Sequence, residues 1–485
     1  MRFIFSVFIL LGFLSATVAQ PYQPNWTSLN TRSIPDWFNK DKFGIFIHWG
    51  VYAVPAWAPV IPNSGLSYSE WYWQRIETGE KPFTEFHEKN YGKNFPYHRL
   101  EQQFRAELFD PAYWASVFKR SGARYVVLTS KHHEGYTLWP NKQADSTWNR
   151  PWNAVSGTPG RDLLGDLTSA VRDSGLRMGY YYSLYEWFNP LWKSDRKAYV
   201  RHHMTPQFKD LVNTYKPDLI FSDGEWDMPD SLWQSPELLA WLFNESPVKD
   251  YVVVNDRWGS NTRHRNTGAT YTTSEYGAGM NPDIIWEESR GIGHSYGYNR
   301  KEGADDYKSG KDLILILVDI VSRGGNLLLD IGPTADGRIP VIMQQRLLEI
   351  GSFLQQNGEA IYETTAWSTP RQWSEGLIPQ QKGDSYMAGY DIAGMIVPKK
   401  DTAHIEYFFT RKGRDLYCFI PRTTKEVVIK HPGFSANTQV THLATGKQLK
   451  IKKSGSGYSI DLSPLAFINS GQEMQVIKLA NALRE

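Results

Sequence analysis

The sequence predicts an α/β chain in which a (β/α)8-like barrel is followed by a C-terminal antiparallel β-sandwich. Between about residues 41 and 332, short apolar runs alternate with segments of helical pattern, which is typical of parallel strands buried on both faces. After about residue 365, the pattern changes to short alternating strands, separated by turn-forming pairs such as Lys412-Gly413 and Thr445-Gly446. Strands of that kind indicate an antiparallel sandwich.

The elements of both domains follow from these patterns in chain order. The predicted barrel strands cover residues 43–47, 125–129, 176–182, 219–221, 251–254 and 327–329, and helices are predicted at 111–119, 162–172, 311–321 and 340–356. The predicted sandwich strands cover 404–409, 415–420, 426–430, 439–443 and 473–479. We therefore expect three parts: a signal peptide at 1–19, a barrel domain at 20–365 that carries the active site, and a sandwich domain at 366–485.

The first residues have the pattern of a cleavable secretory signal peptide. Arg2 is followed by an apolar run over residues 3–14 and by small residues that end at Ala19. That run is too short for a membrane anchor, and no comparable uninterrupted run occurs later in the chain. We therefore expect a soluble protein without membrane insertion, secreted or periplasmic, or lysosomal if its source is eukaryotic.

The composition narrows the classes of partner. The single cysteine, Cys418, excludes an intrachain disulfide, and a formal net charge of +2 gives no reason to expect nucleic acid as a partner. The chain contains 19 Trp and 27 Tyr, which either fill a large core or bind carbohydrate, because sugar rings present C–H faces that pack on aromatic rings. Trp49, Trp71 and Trp226 are open to both interpretations. Association into a homo-oligomer is compatible with the sequence.

Polar residues follow five of the predicted barrel strands. Because reacting groups lie at the carboxyl ends of strands in such barrels, these residues are expected to meet at one mouth. Taken singly, each has a structural explanation: a histidine can be an ordinary core group, and an aspartate can cap a helix. Their joint position favours a functional site. The candidates are His48, His132, His133, Tyr181, Asp223 and Arg257.

The adjacent pair His132-His133 raises the alternative of a metal-dependent hydrolase. Barrel enzymes of that class usually place two histidines one residue apart on a strand, so that both point inward, whereas adjacent strand residues point to opposite faces. The spacing here disfavours a metal site, and we expect neither a metal nor an organic cofactor.

Asp223 is the strongest candidate for a nucleophile. It shares one side of its strand with Leu219 and Phe221 and emerges at the end of the strand, whereas its rival Glu225 lies beyond Gly224. A glycosidase needs two carboxyl groups, one to attack the anomeric carbon and one to act as acid and later as base at the leaving oxygen, and a separation of roughly 5–5.5 Å marks a retaining enzyme.

Several motifs together resemble the family-29 α-L-fucosidases, and they occur in order between about residues 21 and 367. They lie at residues 42–50, 131–135, 222–226, 255–258, 286–287, 297–299 and 324–329. The resemblance implies exo-acting, retaining hydrolysis of terminal α-L-fucose through a covalent fucosyl-enzyme, without metal or organic cofactor. It also implies that fucosylated oligosaccharides or glycoconjugates are the substrates.

The resemblance also assigns residues. Asp223 falls on the family's nucleophile and Glu275 on its acid/base. The sugar-binding positions fall on His48, Glu70, Trp71, His132, His133, Tyr181 and Arg257. Phe221, where some relatives carry Trp, is a candidate for the apolar recess that the methyl group of a 6-deoxy sugar needs. The presence of both carboxylates argues against a third class, a non-catalytic sugar-binding protein.

The acid/base assignment has two competitors, Glu287 and Glu288. Glu275 follows a polar segment that we expect to enter the mouth as a loop from above. The competitors follow a short apolar run at 284–286, and we expect one of them to be structural and paired with a cation such as Arg290.

Overall fold

A computed structural model describes residues 22–62, 64–276, 284–379, 391–431, 433–465 and 474–483, so the predicted signal peptide at 1–19 lies outside the described residues. Its first sheet has eight parallel strands in the order β5-β4-β3-β2-β1-β8-β7-β6. These strands are β1 Phe43–Ile47, β2 Tyr125–Lys131, β3 Arg177–Ser183, β4 Leu219–Asp223, β5 Val253–Val254, β6 Thr272–Glu275, β7 Trp286–Gly291 and β8 Asn326–Ile331.

The two edge strands of this sheet, β5 and β6, meet and close it into a barrel. The N–H of Tyr271 donates to the carbonyl of Val254 at 3.0 Å, and Asn255 forms a parallel bridge with Tyr271. We call this junction the seam. Side chains reinforce it, because the Asp256 carboxylate accepts hydrogen bonds from the backbone N–H and the hydroxyl of Thr273, at 3.2 and 2.8 Å.

Strands β6 and β7 were not predicted. Their sequences, TTSE and WEESRG, carry mostly polar side chains, although nearly all of their residues are buried. The expectation that Glu275 belongs to a loop above the mouth is therefore wrong: Glu275 is the last residue of β6. Its place at the carboxyl end of a barrel strand is the position where reacting groups are expected.

Helices surround the barrel, and those predicted from the sequence lie within two residues of the observed ones. In α5, Pro111 occupies the first turn and the Asp110 side chain caps it by accepting from the N–H of Tyr113. The helices are α1 Trp26–Leu29, α2 Asp36–Asp41, α3 Tyr72–Glu77, α4 Lys81–Asn90, α5 Pro111–Arg120, α6 Lys142–Trp148, α7 Leu163–Asp173, α8 Pro190–Ser194, α9 Arg196–Tyr199, α10 Thr205–Tyr215, α11 Asp230–Trp233, α12 Ser235–Asn244, α13 Gly310–Ser322, α14 Val341–Asn357 and α15 Ile392–Met395. Among the ranges described above, every helix is too short or too polar to cross a membrane.

The barrel strands separate two apolar layers. In β1, Phe43, Ile45 and Ile47 pack outward against the helices, whereas Phe46 packs inside the barrel. Strand β4 also places Leu219 and Phe221 inside. Because side chains alternate along a strand, Asp223 emerges from that same side at the barrel mouth, as predicted.

The C-terminal part is antiparallel, so the predicted fold class of barrel plus sandwich is confirmed. A six-stranded sheet has the order β14-β13-β17-β11-β10-β9 and a three-stranded sheet the order β12-β16-β15. Between them lies a second core that includes Phe409, Cys418, Val427 and Ile460. The strands are β9 Thr365–Trp373, β10 Ile405–Lys412, β11 Asp415–Ile420, β12 Glu426–Ile429, β13 Gln439–His442, β14 Gln448–Leu449, β15 Ile451–Ser454, β16 Gly457–Asp461 and β17 Gln475–Ala480.

Helix α13 joins the barrel to the six-stranded sheet. Phe408 and Phe419, on the face of that sheet opposite to the second core, belong to the same apolar cluster as Leu317 of α13. The buried carboxylate of Asp319 on α13 accepts from Arg371 of β9 at 2.6 Å and from Arg323 at 2.8 Å. The buried negative charge of Asp319 is thus neutralised by one arginine from the sandwich sheet and one from the barrel domain.

Candidate active site

A cavity of about 430 Å³ opens at the carboxyl ends of the barrel strands. It takes in all ten residues that the sequence assigned first: Asp223, Glu275, His48, Glu70, Trp71, His132, His133, Tyr181, Phe221 and Arg257. The cavity is further lined by Phe46, Gly65, Tyr68, Arg75, Trp226, Arg263 and Tyr296. Neither Glu287 nor Glu288 lines it, and Glu225 does not either.

Asp223 ends strand β4, where Gly224 with φ +73° turns the chain away and leaves the carboxylate facing the cavity. Its Oδ1 accepts from Nη1 of Arg257 at 2.9 Å, and its Oδ2 accepts from the hydroxyl of Tyr181 at 2.8 Å. Nε2 of His133 lies 3.5 Å from Oδ2. Burial alone would raise the pKa of Asp223, but the charges of Arg257 and His133 hold it well below its ordinary value.

Arg257 contacts both catalytic candidates. Its Nη2 lies 2.9 Å from Oε1 of Glu275, and its Nε donates to the hydroxyl of Thr273 at 3.1 Å. The side chain of Glu275 is 19% exposed, against 11% for Asp223, so Glu275 is the carboxyl nearer to solvent. The buried guanidinium of Arg257 therefore contacts both Asp223, the more buried carboxylate, and Glu275, the more exposed one.

His132 and His133 both line the cavity, so the expectation that they point to opposite faces is wrong. Strand β2 ends at Lys131, and the chain then turns through Gly135 at φ +81°, so strand alternation no longer applies. The two rings lie 4.1 Å apart between centroids. Nδ1 of His133 bonds to the Ser183 hydroxyl at 2.7 Å, which leaves Nε2 to face Asp223.

His48 and Glu70 also line the cavity, and the His48 ring lies 5.6 Å from that of His132, between centroids. A hydrogen bond of 2.6 Å joins Nδ1 of His48 to Oδ1 of Asp330, a buried carboxyl group on β8. Glu70 accepts from the N–H of Gly297 at 2.9 Å and from the Ser295 hydroxyl at 3.2 Å. Burial raises the pKa of both carboxyl groups, in Asp330 well above its ordinary value.

Aromatic rings close the floor of the cavity. Phe221 lies 5.0 Å from Phe46 and 6.0 Å from Tyr181, between ring centroids, and the guanidinium of Arg257 covers its face at 4.9 Å. Phe46 and Phe221 thus form an apolar corner of the cavity, and the polar groups of Arg257 and Tyr181 lie beside it. It therefore fits a ligand with one apolar substituent and several hydroxyls.

The rival carboxylates have structural partners elsewhere. Glu288 pairs with Arg290 at 2.5 Å, as predicted for one of the pair. Glu287 accepts from the hydroxyl of Tyr125 at 2.5 Å, close to the amino ends of β7 and β2, at the far end of the barrel from the mouth. Glu225 is buried against Arg263 at 2.6 Å.

Sequence reasoning missed some residues of the site. Asp330, which does not line the cavity but bonds to His48, carried a signal, because it is the one carboxylate in the apolar run of β8. Tyr68, Tyr296 and Arg263 lie in loops without a recognisable pattern. Trp49, which could have contacted sugar, is core: it is 1% exposed and packs against Phe104, Phe109 and Trp114.

Within the described ranges, no cluster of three or more histidine, cysteine or acidic side chains has the arrangement of a metal site. Several polar groups of the cavity are held by side chains behind the lining, as His48 is by Asp330 and His133 by Ser183. The arrangement can present a negative oxygen to an electrophilic carbon at Asp223 and a second carboxyl group nearer to solvent at Glu275.

Comparison with known proteins gives a consistent result. The alpha-L-fucosidase family model matches residues 11–359. The alpha-L-fucosidase of Dictyostelium discoideum is 46% identical over 376 residues, which cover 74% of this chain and 78% of the relative. The tissue alpha-L-fucosidase of Homo sapiens is 44% identical over 385 residues, covering 76% and 79%. A Thermotoga maritima alpha-fucosidase, solved in complex with a mechanism-based inhibitor, has a TM-score of 0.76 at 34% identity and covers 94% of this chain and 99% of its own.

The barrel, its mouth and its pair of carboxyl groups are those of a glycosidase. The match to the family model and the identity with the two relatives identify the family: the chain belongs to the alpha-L-fucosidases.

Proposed function

We propose that the protein is an exo-acting, retaining α-L-fucosidase that releases terminal fucose by double displacement through a covalent fucosyl-enzyme. The observation that carries this proposal is the contact of one guanidinium, that of Arg257, with both Asp223 and Glu275 at 2.9 Å. Two carboxyl groups held on one cation at a barrel mouth suit the two roles that a glycosidase needs.

In the first step, an oxygen of Asp223 bonds to the anomeric carbon while the bond from that carbon to the leaving oxygen breaks. Asp223 suits attack because Arg257, His133 and Arg263 keep its pKa low against the effect of burial. Glu275 gives its proton to the leaving oxygen, so the aglycone departs as a neutral alcohol.

In the second step, water replaces the aglycone. Glu275, now ionised, takes one proton from the water. The water oxygen attacks the anomeric carbon, and the bond from that carbon to Asp223 breaks. Two inversions give net retention. Arg257 contacts both groups throughout, so it can offset the charge that moves between them.

Fucosylated oligosaccharides or glycoconjugates are the proposed substrates. The hydroxyls of fucose suit the histidines and Glu70, and its methyl group suits the apolar corner at Phe46 and Phe221. The names of the relatives support this choice, since both the Dictyostelium and the human proteins are alpha-L-fucosidases. The proposed boundary between barrel and sandwich domains lies at 365/366, and the N-terminal sequence supports export.

Proton NMR during early turnover tests the mechanism. We expect α-L-fucose to form first and to mutarotate later, whereas β-L-fucose as the first product would contradict double displacement. A second measurement addresses the metal-dependent alternative. Activity is expected to survive EDTA, and its loss with recovery on adding zinc would support a metal mechanism.

A further inference from the structure

We propose that the rim of the cavity carries a subsite for a neutral pyranose ring, the sugar to which fucose is attached, and that Trp226 is its platform. This inference rests on the proposed function, since it concerns the leaving group of that reaction. The subsite would determine which kind of sugar the fucose is attached to, whereas the fucose pocket alone does not.

Trp226 lines the rim of the cavity and is 39% exposed as a residue. A single exposed apolar residue is ordinary on a protein surface and does not by itself indicate a binding site. Here, however, the ring is held on several sides: it stacks on Trp71 at 5.9 Å and 28°, and its neighbours His133 and Tyr185 lie at 5.4 and 5.8 Å. A rigid aromatic surface is therefore presented without further ordering of the side chain.

The platform lies close to the reacting groups. His133 contacts the Trp226 ring and also places Nε2 3.5 Å from Asp223. The anomeric carbon must lie against Asp223, and the leaving oxygen must reach the more exposed Glu275. The sugar beyond that oxygen therefore leaves the cavity across the rim, where the C–H face of a pyranose can pack on the indole.

The charges of the rim favour a neutral sugar. Among the described residues that line the cavity, each arginine has a carboxylate within 4 Å: Arg257 has Asp223 and Glu275, Arg263 has Glu225 at 2.6 Å, and Arg75 has Glu80 at 3.9 Å. A paired cation offers an acidic ligand little net attraction. We therefore assign the subsite to a neutral hexose or N-acetylhexosamine rather than to a uronic or sialic acid.

The test compares two substrates that share the fucosyl group. One is α-L-fucosyl fluoride, whose leaving group has no ring, and the other is an α-fucosyl disaccharide with a neutral hexose. For Trp226→Ala, we expect kcat/KM on the disaccharide to fall roughly three- to tenfold further than on the fluoride. Trp226→Phe should recover most of the difference, because a flat ring remains.

Tyr113→Ala is the matched control. Tyr113 is another large exposed aromatic, 48% exposed, but it lies on helix α5 outside the cavity. We expect this variant to treat both substrates as the wild type does. Wild-type protein should also prefer the neutral disaccharide to one that carries a uronic acid in the same position.

Three outcomes would overturn the subsite. An equal loss on both substrates, with weaker inhibition by free L-fucose, would place Trp226 against fucose itself. No loss on either substrate would leave the indole without a role in binding. A wild-type preference for the acidic aglycone would contradict the neutral assignment. Failure of the proposed function is a separate result, because the wild-type protein would then not hydrolyse fucosyl fluoride at all.

Discussion

The guanidinium of Arg257 donates a 2.9 Å hydrogen bond to the carboxylate of Asp223 at the barrel mouth, where both side chains are largely buried. Because the positive charge favours the ionised carboxylate, the pKa of Asp223 stays low although the group is buried. Asp223 is therefore expected to be ionised at neutral and mildly acidic pH. Loss of activity at mildly acidic pH, if observed, has to come from another group.

Removing the nucleophile should abolish attack. For Asp223→Gly, we expect activity to fall by several orders of magnitude even on aryl fucosides with good leaving groups. An activated 2-fluoro fucoside should label Asp223 in the wild-type protein, as read by peptide mapping. Glu225→Gln is the comparison variant: Glu225 does not line the cavity, so the variant should keep far more activity than Asp223→Gly, although its partner Arg263 lies 3.9 Å from Asp223. A label on Glu225 would move the assignment.

The acid/base assignment is tested by leaving-group dependence. Glu275→Ala should slow natural fucosides far more than activated aryl fucosides, which need little protonation to depart. Azide should then restore turnover of the intermediate without a general base. Glu287→Gln should lack this signature, since Glu287 lies near the amino ends of the strands and bonds to Tyr125. The reverse result would make Glu287 the acid/base.

Glu287 should control the pH dependence of stability instead. Burial raises its pKa from an ordinary 4.5 to about 7. Between these two values the unfolded chain gains free energy by ionising while the folded protein stays protonated, so the folded state loses stability as pH rises. The full loss is about 3 kcal/mol above pH 7.

Glu287→Gln keeps a neutral polar group at every pH and should remove this loss. We expect the melting temperature of the variant, relative to the wild type, to rise between pH 4.5 and pH 8. Thermal unfolding followed by circular dichroism measures the difference. A difference that does not change with pH would show that Glu287 is already ionised in the folded protein.

His48→Ala tests whether the histidines of the cavity bind sugar hydroxyls. Hydrogen bonds to sugar hydroxyls can strengthen as the ring flattens in the transition state, so both kcat and 1/KM should fall, with kcat/KM lower by roughly ten- to a hundredfold. Asp330→Asn keeps the imidazole and changes only its partner, so its loss should be smaller. If His48 were only a core group, the kinetics of the folded variant would stay near wild type and only its melting temperature would drop.

Arg257→Met should damage activity and fold together. Arg257 holds Asp223 of β4 and also reaches Thr273 and Glu275 of β6 across the seam. The methionine keeps apolar bulk over Phe221 but leaves two carboxylates without their cation. We expect a large fall in kcat, a lower melting temperature and a raised pKa of Asp223, so that protonation of Asp223 adds an acid limb to the pH–rate profile that the wild type lacks. A profile whose acid side matches that of the wild type would contradict control of that pKa by Arg257.

Much of the fold was predictable because the pattern is local. Strands β1, β2, β3, β4 and β8 contain continuous apolar runs, and α5 and α13 have capping residues and apolar periodicity. Strands β6 and β7 lack such a pattern, since their polar side chains are buried by partners distant in sequence. Thr273 bonds to Asp256, and Glu287 bonds to Tyr125. Pairings of that kind cannot be deduced from periodicity.

The site shows the same division. Residues directly after apolar strands, such as His48 and Asp223, could be named because barrel geometry fixes where strand ends lie. Strand alternation did not predict that His132 and His133 share one wall, because that depends on where β2 ends, whereas the family resemblance assigned both to the sugar. Tyr68 and Tyr296 reach the cavity from loops, and only the complete fold brings them there.

The seam has a consequence for how heat should inactivate the protein. Backbone pairing between β5 and β6 is sparse, and side chains of the site itself, above all Arg257, span the gap. Elements with few backbone bonds open at lower free energy than a densely paired core. On warming, the barrel should therefore open first between β5 and β6, while the helices and the other strands keep their structure. Activity should then be lost at a lower temperature than the circular dichroism signal.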